Sequence, residues 1–198
     1  TLAEIAGEKA GIIKPGVPVV SAPQQPEALR VIRETALRSE SPLTLAQRDW
    51  RWRALGLRDG CQRFSVYRRG NARHPDYPDL FLPLLGEFQL ENACTAIAGI
   101  EVLKAQGLDI KQEAVRAGLA QVVWPGRLQV LSREPLVVVD GAHNPYSASQ
   151  LLKSLPVSLD FRRIVLIFGA GQTHRPRALL ETLLPSVDRT YVTHANHP

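Results

Sequence analysis

Only two cysteines, Cys61 and Cys94, occur in the 198-residue chain, and they stand at no CxxC or other metal-like spacing. Two thiols are too few for a disulfide framework, which excludes the small cross-linked secreted scaffolds. No run of about 18 or more apolar residues is present, so no helix is expected to span a membrane. The opening "TLAEIAGEKAG" lacks the basic-then-apolar pattern of a signal peptide. The cytoplasm is the default compartment. An initiator methionine is also missing, and the first residues read as the middle of an element. The expectation is a piece of a longer protein.

What remains is ordinary in amount and uneven in charge. Hydrophobic residues make up 44% and charged residues 22%, the proportions of a soluble globular chain. The length allows one large domain or two smaller ones. A net charge of +5, mainly from arginine, suits an anionic partner such as nucleotide phosphates, a polycarboxylate or nucleic acid. In "RDWRWRALGLRDGCQRFSVYRRG" the arginines are interleaved with aromatics, so a nucleic-acid surface has to be weighed. A twisted hairpin whose alternate residues face solvent explains the same pattern. No nucleic-acid module accompanies the stretch, and no nucleic-acid partner is expected.

Local signals divide the chain in two. "EIAGEKAGIIKPGVPVVSAPQ" reads as a short helical or loop segment, a turn at Lys14-Pro15-Gly16 and a strand over Val17 to Ala22. A helix follows from Pro26, which suits a first helical position, with Leu29, Ile32, Ala36 and Leu37 as its apolar stripe. The arginine-rich strands turn near Asp59-Gly60. "LENACTAIAGIEVLKAQG" reads as a helix stopped by Gly107, and Asp109 is the expected N-cap of the next one. Beyond "WPGR" (Trp124 to Arg127) strands and helices alternate, the pattern of a parallel sheet with covering helices. The expected domains are therefore 1–126 and 127–198, both of the α/β class.

One strand stops oddly. "LVVVDGAHNP" begins as a buried strand should and then delivers an acid, two small residues, a histidine and an asparagine. Ligands gather beyond the carboxyl ends of strands in open parallel sheets. Asp140 and His143 stand at such an end, as do Gly169 to Gly171 after "IVLIF", and small residues at Gly141 and Ala142 let a backbone approach closely. An Asp-Gly turn with Asn144 capping the following helix is the purely structural alternative.

Four segments in order, "IAGEKAGIIKPGVPVV", "LLGEFQLENACTAIAGI", "WPGRLQV" and "VVVDGAHNP", resemble the folylpolyglutamate synthase/dihydrofolate synthase family of the Mur ligase superfamily. The resemblance covers nearly the whole chain. It implies the C-terminal part of a central ATPase domain followed by a truncated Rossmann-like domain. No GxxxxGK[ST] phosphate loop occurs here. The implied reaction is ATP-dependent amide ligation: a folate or dihydropteroate carboxylate takes the γ-phosphate, and L-glutamate displaces phosphate from the acyl phosphate. The implied partners are ATP, magnesium, L-glutamate and folate or dihydropteroate, and the implied enzyme is a monomer.

Residue by residue, Lys9 matches a lysine that becomes carbamylated and supports a second magnesium. Carbamylation needs the neutral amine, whereas a free lysine titrates near ~10.4, so a partly buried setting is expected. Asn92 matches an asparagine that meets the adenine nucleotide, with a helix N-cap as its structural alternative. Arg127 matches an arginine that reaches the ATP phosphates, and Asp140 an acid at the ribose or phosphate end. His143 matches a histidine at the glutamate and acyl-phosphate end. The chain departs from the family pattern at Phe88, where histidine is usual, and at "GQTHRP", where the family has an acidic, lysine-containing loop. His174 and Arg175 therefore receive no role and read as exposed loop. A Mur-type ligase with another acceptor and a non-catalytic nucleotide- or anion-binding module are the competing readings.

Overall fold

A computed structural model describes residues 1–71, 73–169 and 176–193. It divides into two compact units. The first comprises Thr1–Leu82 and Gln89–Gln121, the second Pro83–Phe88 and Val122–Pro198.

The first unit opens with α1 (Leu2–Ala10), where the Thr1 hydroxyl accepts from the Glu4 N–H and the Glu4 side chain reaches back, a capping box. Ala6 and Ala10 form its buried side, small enough to let α1 lie against α2 (Pro26–Arg38). Strand β1 (Val19–Ser21), α2 and β2 (Leu43–Leu45) form a βαβ unit with parallel strands. Pro26 is the first helical residue, as its fixed φ favours. The apolar stripe of α2 is shifted from expectation. Ala28 and Ala36 are buried, whereas Leu37 is 81% exposed, because the helix turns the Ala28 side inward.

An antiparallel meander follows: β3 (Trp50–Arg58), β4 (Cys61–Arg68) and β5 (Tyr77–Leu82), with β4 in the centre. Asp59 and Gly60 have φ of 53° and 77°, the left-handed pair that a tight two-residue hairpin turn demands. The expected solvent alternation does not hold. Edge strand β3 is exposed along nearly its whole length, while central β4 buries Phe64, Ser65 and Val66. Helix α3 (Glu87–Ala105) buries Leu90, Ala93, Cys94, Ile97 and Ala98, an i, i+3, i+4, i+7, i+8 stripe. Gly107, at φ +100°, ends the run. Helix α4 (Gln112–Ala120) is not capped by Asp109. Its N-cap is Lys111, without a side-chain cap bond, and Asp109 instead pairs with the Lys111 ammonium at 2.8 Å.

In the second unit β6 (Gln129–Arg133) and β7 (Leu136–Val139) pair antiparallel, and β8 (Val165–Gly169) and β9 (Arg189–Thr193) pair parallel around α6 (Pro176–Leu183). The uniformly parallel sheet expected from the alternation is thus corrected at β6 and β7. Only two residues join them, far too few for the crossover that parallel strands need. Nor is β7 buried on both faces. Leu136 and Val138 pack on a core of Leu85, Leu128 and Leu159, while Val137 and Val139 are 41% and 42% exposed. A second core of Ala148, Phe168, Leu179 and Leu183 joins α5 (Pro145–Ser158), β8 and α6. The architecture is mixed α/β.

Candidate functional site

At the end of β7 the Asp140 carboxylate takes one hydrogen bond on each oxygen. The Leu128 N–H donates to Oδ2 and the Ala142 N–H to Oδ1, both at 2.8 Å. The first bond ties β7 to the loop before β6, and the second closes the turn after Asp140. Beside them the Gly141 N–H donates to the Gly126 carbonyl at 2.8 Å, and the Gly126 N–H donates to Gln129 Oε1 at 2.9 Å. Gly126 adopts φ +72° and Leu128 φ +42°, so the 126–128 loop holds left-handed geometry that these bonds pin in place. Leu128 is only 1% exposed and anchors the loop in the core.

Arg127 lies between those two pinned residues. Its Nη1 is 3.2 Å from where a β-carbon on Gly141 would sit, with the Gly126 carbonyl 3.4 Å from the same point. A side chain at position 141 would therefore press on the guanidinium and shift it by a few tenths of an ångström. The guanidinium is partly exposed and has no hydrogen-bond or ion-pair partner among the described residues, which leaves a fork of donors for an anion.

The exposed His143 has Nδ1 3.2 Å from the Gly141 carbonyl, and its N–H donates to Ser147 Oγ. A carbonyl oxygen only accepts, so Nδ1 carries the proton. Asn144 caps α5: Oδ1 accepts from the Ser147 N–H at 2.8 Å, with Pro145 in the first turn. The structural role expected for Asn144 is therefore real. Asp140 closes the Asp-Gly turn that was its structural alternative, and its bond to the Leu128 N–H adds a tie to the loop that the sequence reading did not foresee. Arg127, Asp140 and His143 come together in the second unit. Asn92 and Lys9 belong to the first.

Asn92 is exposed in the second turn of α3, inside the helix and not at its N-cap, because the helix begins at Glu87. Its Nδ2 donates to Gln89 Oε1 at 3.0 Å, and Gln89 is itself buried. Phe88 places its half-buried ring over Gly86, so this departure from the family pattern is a loop-covering contact. Lys9 sits in the last turn of α1 with its side chain 76% exposed and its ammonium 3.3 Å from Glu8. The partly buried setting expected for it is absent, because α1 turns Ala6 and Ala10 inward and points Lys9 outward. Lys14 forms a plain turn, its carbonyl accepting from the Val17 N–H at 3.1 Å. Gly171, His174 and Arg175 lie outside the described residues. Burial pushes the Cys94 thiol up to about 11, which makes it a core residue and no nucleophile.

Sequence reasoning missed the bracing by Gly126, Leu128 and Gln129, where only the glycine of "WPGR" hinted at a special turn. It also missed a polar cluster in the first unit. Glu101 accepts from the Tyr77 hydroxyl at 2.6 Å and pairs with Lys104 at 2.7 Å and Arg68 at 2.9 Å.

Residues 126–198 match the family model described as Mur ligase, glutamate ligase domain. The chain is 36% identical to the dihydrofolate synthase/folylpolyglutamate synthase of Bacillus subtilis over 178 residues, 86% of this chain and 39% of that protein. Folylpolyglutamate synthase of Mycobacterium tuberculosis, solved with ADP and AMPPCP, superimposes with a TM-score of 0.87 at 33% identity, covering 99% of this chain and 44% of that one. An FPGS–AMPPCP–folate complex gives a TM-score of 0.85 at 32% identity, over 97% of this chain and 46% of that one. The chain thus spans about two fifths of the length of the curated relative. The likeness to these solved proteins extends over both units, so the chain is similar throughout to folylpolyglutamate and dihydrofolate synthases, and its residues 126–198 match the Mur ligase, glutamate ligase domain.

Proposed function

We propose that the complete protein carrying this sequence joins L-glutamate to folate or dihydropteroate by ATP-dependent ligation. In this reading the acceptor carboxylate attacks the γ-phosphorus and ADP leaves. The amine of glutamate then attacks the acyl carbon and phosphate leaves. Both steps gather negative charge, so positioned cations contribute most. The observation that carries the reading is Arg127: a guanidinium without a partner among the described residues, held in a braced loop, in a chain similar throughout to a protein solved with ADP and AMPPCP.

The assigned roles follow. Arg127 takes phosphate oxygens. Asp140 fixes the Arg127 loop through Leu128, and its remaining lone pairs accept from the nucleotide end. Asn92 offers its Oδ1 to the adenine, and His143 serves the glutamate and acyl-phosphate end. Residues 1–126 are taken as the back of the ATP-binding domain and 127–198 as the glutamate-ligase domain. The protein is further taken to act as a monomer in the cytoplasm; no described helix is long and apolar enough to cross a membrane.

Magnesium is different. No three Asp, Glu, His or Cys side chains are grouped to hold a metal among the described residues, and Lys9 faces only Glu8. These residues do not fit a metal centre, and no step is routed through one. Carbamylation of Lys9 rests on the motif alone.

The reading predicts that the complete protein releases ADP only when both glutamate and a folate or dihydropteroate acceptor are present. Arg127→Gln should lower kcat/KM for ATP by about 10- to 100-fold, the loss of one or two charge-assisted hydrogen bonds. Glutamate-independent ADP release, or an Arg127→Gln enzyme matching wild type, would sink it.

A further inference from the structure

The β3–β4 hairpin carries a basic surface that the ligase reading leaves unused. Arg51 stands opposite Tyr67 and Arg53 opposite Ser65, so both arginines share one face of β3. The other face is occupied. Trp50 is 5% exposed, and Arg68 lies 4.7 Å over its ring and pairs with Glu101. Arg63 is neutralised by Asp79 at 2.8 Å. Arg51 and Arg53, by contrast, have no acidic partner among the described residues. Arg69 lies near Asp49, a carboxylate that Arg48 already holds through two hydrogen bonds. Arg51, Trp52, Arg53, Tyr67, Arg68, Arg69 and Gly70 line a groove of ≈ 200 Å³.

We propose that this groove binds a run of carboxylates, the oligo-γ-glutamyl tail of an acceptor already extended. The proposal rests on the ligase reading for the identity of the tail. Guanidinium forks match carboxylates, and residues two apart on a strand present them roughly 7 Å apart, the spacing of a ligand with one charge per repeat. A single exposed arginine–carboxylate pair contributes little, so a lone glutamate is held poorly and a chain of them gains from simultaneous contacts. A nucleic acid fits less well. Two of the rings on which bases would stack are covered, with Arg53 5.4 Å over Tyr67 and Arg68 over Trp50, which leaves half-buried Trp52 in the groove as a stacking surface.

The test is titration of penta-γ-glutamate, free of pterin and nucleotide, into the complete protein at low salt, beside free glutamate and a single-stranded oligonucleotide of matched charge. The pentamer should bind at least about 10-fold more tightly than glutamate and weaken as salt rises. Arg51→Gln with Arg53→Gln should cost about 10-fold and flatten the salt dependence, while Arg58→Gln, on the hairpin but outside the groove, should change nothing. A pentamer that fails to bind, ignores both substitutions or binds less tightly than the oligonucleotide overturns the proposal. Such a failure beside normal glutamate-dependent ADP release in the complete protein would remove the groove alone. Arginine-dependent pentamer binding beside absent ligation would remove the ligase reading alone.

Discussion

Lys9 and Asp140 both stand in motifs shared with folate ligases, yet the molecule treats them in opposite ways. Asp140 is spent locally: each oxygen accepts a backbone N–H, and those bonds hold the loop that presents Arg127. Among the described residues the Lys9 side chain meets only its neighbour, Glu8, at the exposed end of α1. One residue is architecture before it is chemistry. The other has no architectural use, so any role it has is chemical. That difference can be tested by asking which substitutions cost activity, which cost stability and which cost both.

The largest effect is expected at Lys9, and on activity alone. In the complete protein Lys9→Arg should lower kcat on the order of 100-fold or more, because arginine cannot form the carbamate that the motif implies. Lys9→Glu should retain more activity than Lys9→Arg, since only glutamate keeps the carbamate's negative charge. Neither should shift Tm, because an exposed ion pair contributes little. A Lys9→Arg enzyme as active as wild type would end the carbamate reading and leave Lys9 as a surface cation.

Asp140→Ala should cost both. Two N–H groups lose their acceptors, at about 1–3 kcal/mol in total when partly buried, and Arg127 loses its brace. These two bonds give the acid at this strand end a part in folding beside its proposed chemistry. Asp140→Asn keeps one acceptor oxygen and should recover part of the stability. Denaturant unfolding alongside kcat/KM for ATP separates the two losses. An Asp140→Ala protein of normal stability would show that the 126–128 loop holds its shape without the carboxylate.

What could be read from sequence follows the range of the interactions. Pro26, the Asp59-Gly60 turn and the Asn144 cap are local, and each is where its residue type indicates. Asp109 misled because its carboxylate found Lys111, two residues on, before any helix N–H. The antiparallel β6–β7 pair was implicit in a two-residue link, but the strand–helix rhythm beyond it suggested one parallel sheet. At the site, Arg127, Asp140 and Gly141 stood out as types. The bond from Leu128 to Asp140 did not, because it joins residues twelve apart and depends on how the loop folds back.

The smallest effect, and one on stability alone, is expected at Tyr77, which completes the comparison with a carboxylate cluster outside any motif. Its hydroxyl donates to Glu101, whose other partners are Lys104 and Arg68. Tyr77→Phe leaves Glu101 paired, so the loss should be only ~1 kcal/mol at neutral pH, with ligase activity unchanged. Burial, aided by the bond to Glu101, pushes the Tyr77 hydroxyl up to about 12 in the fold, against about 10 in an unfolded chain. Below about pH 10 the tyrosine is neutral in both states, and its contribution is fully present. Above that value the unfolded chain gives up the proton first, so the contribution shrinks as pH rises and is lost through about 12. The stability gap between wild type and Tyr77→Phe should therefore narrow between about pH 10 and about pH 12, measured by urea unfolding. A gap that stays constant across that range would mean that the hydroxyl titrates normally and that Glu101 is held by its two cations alone.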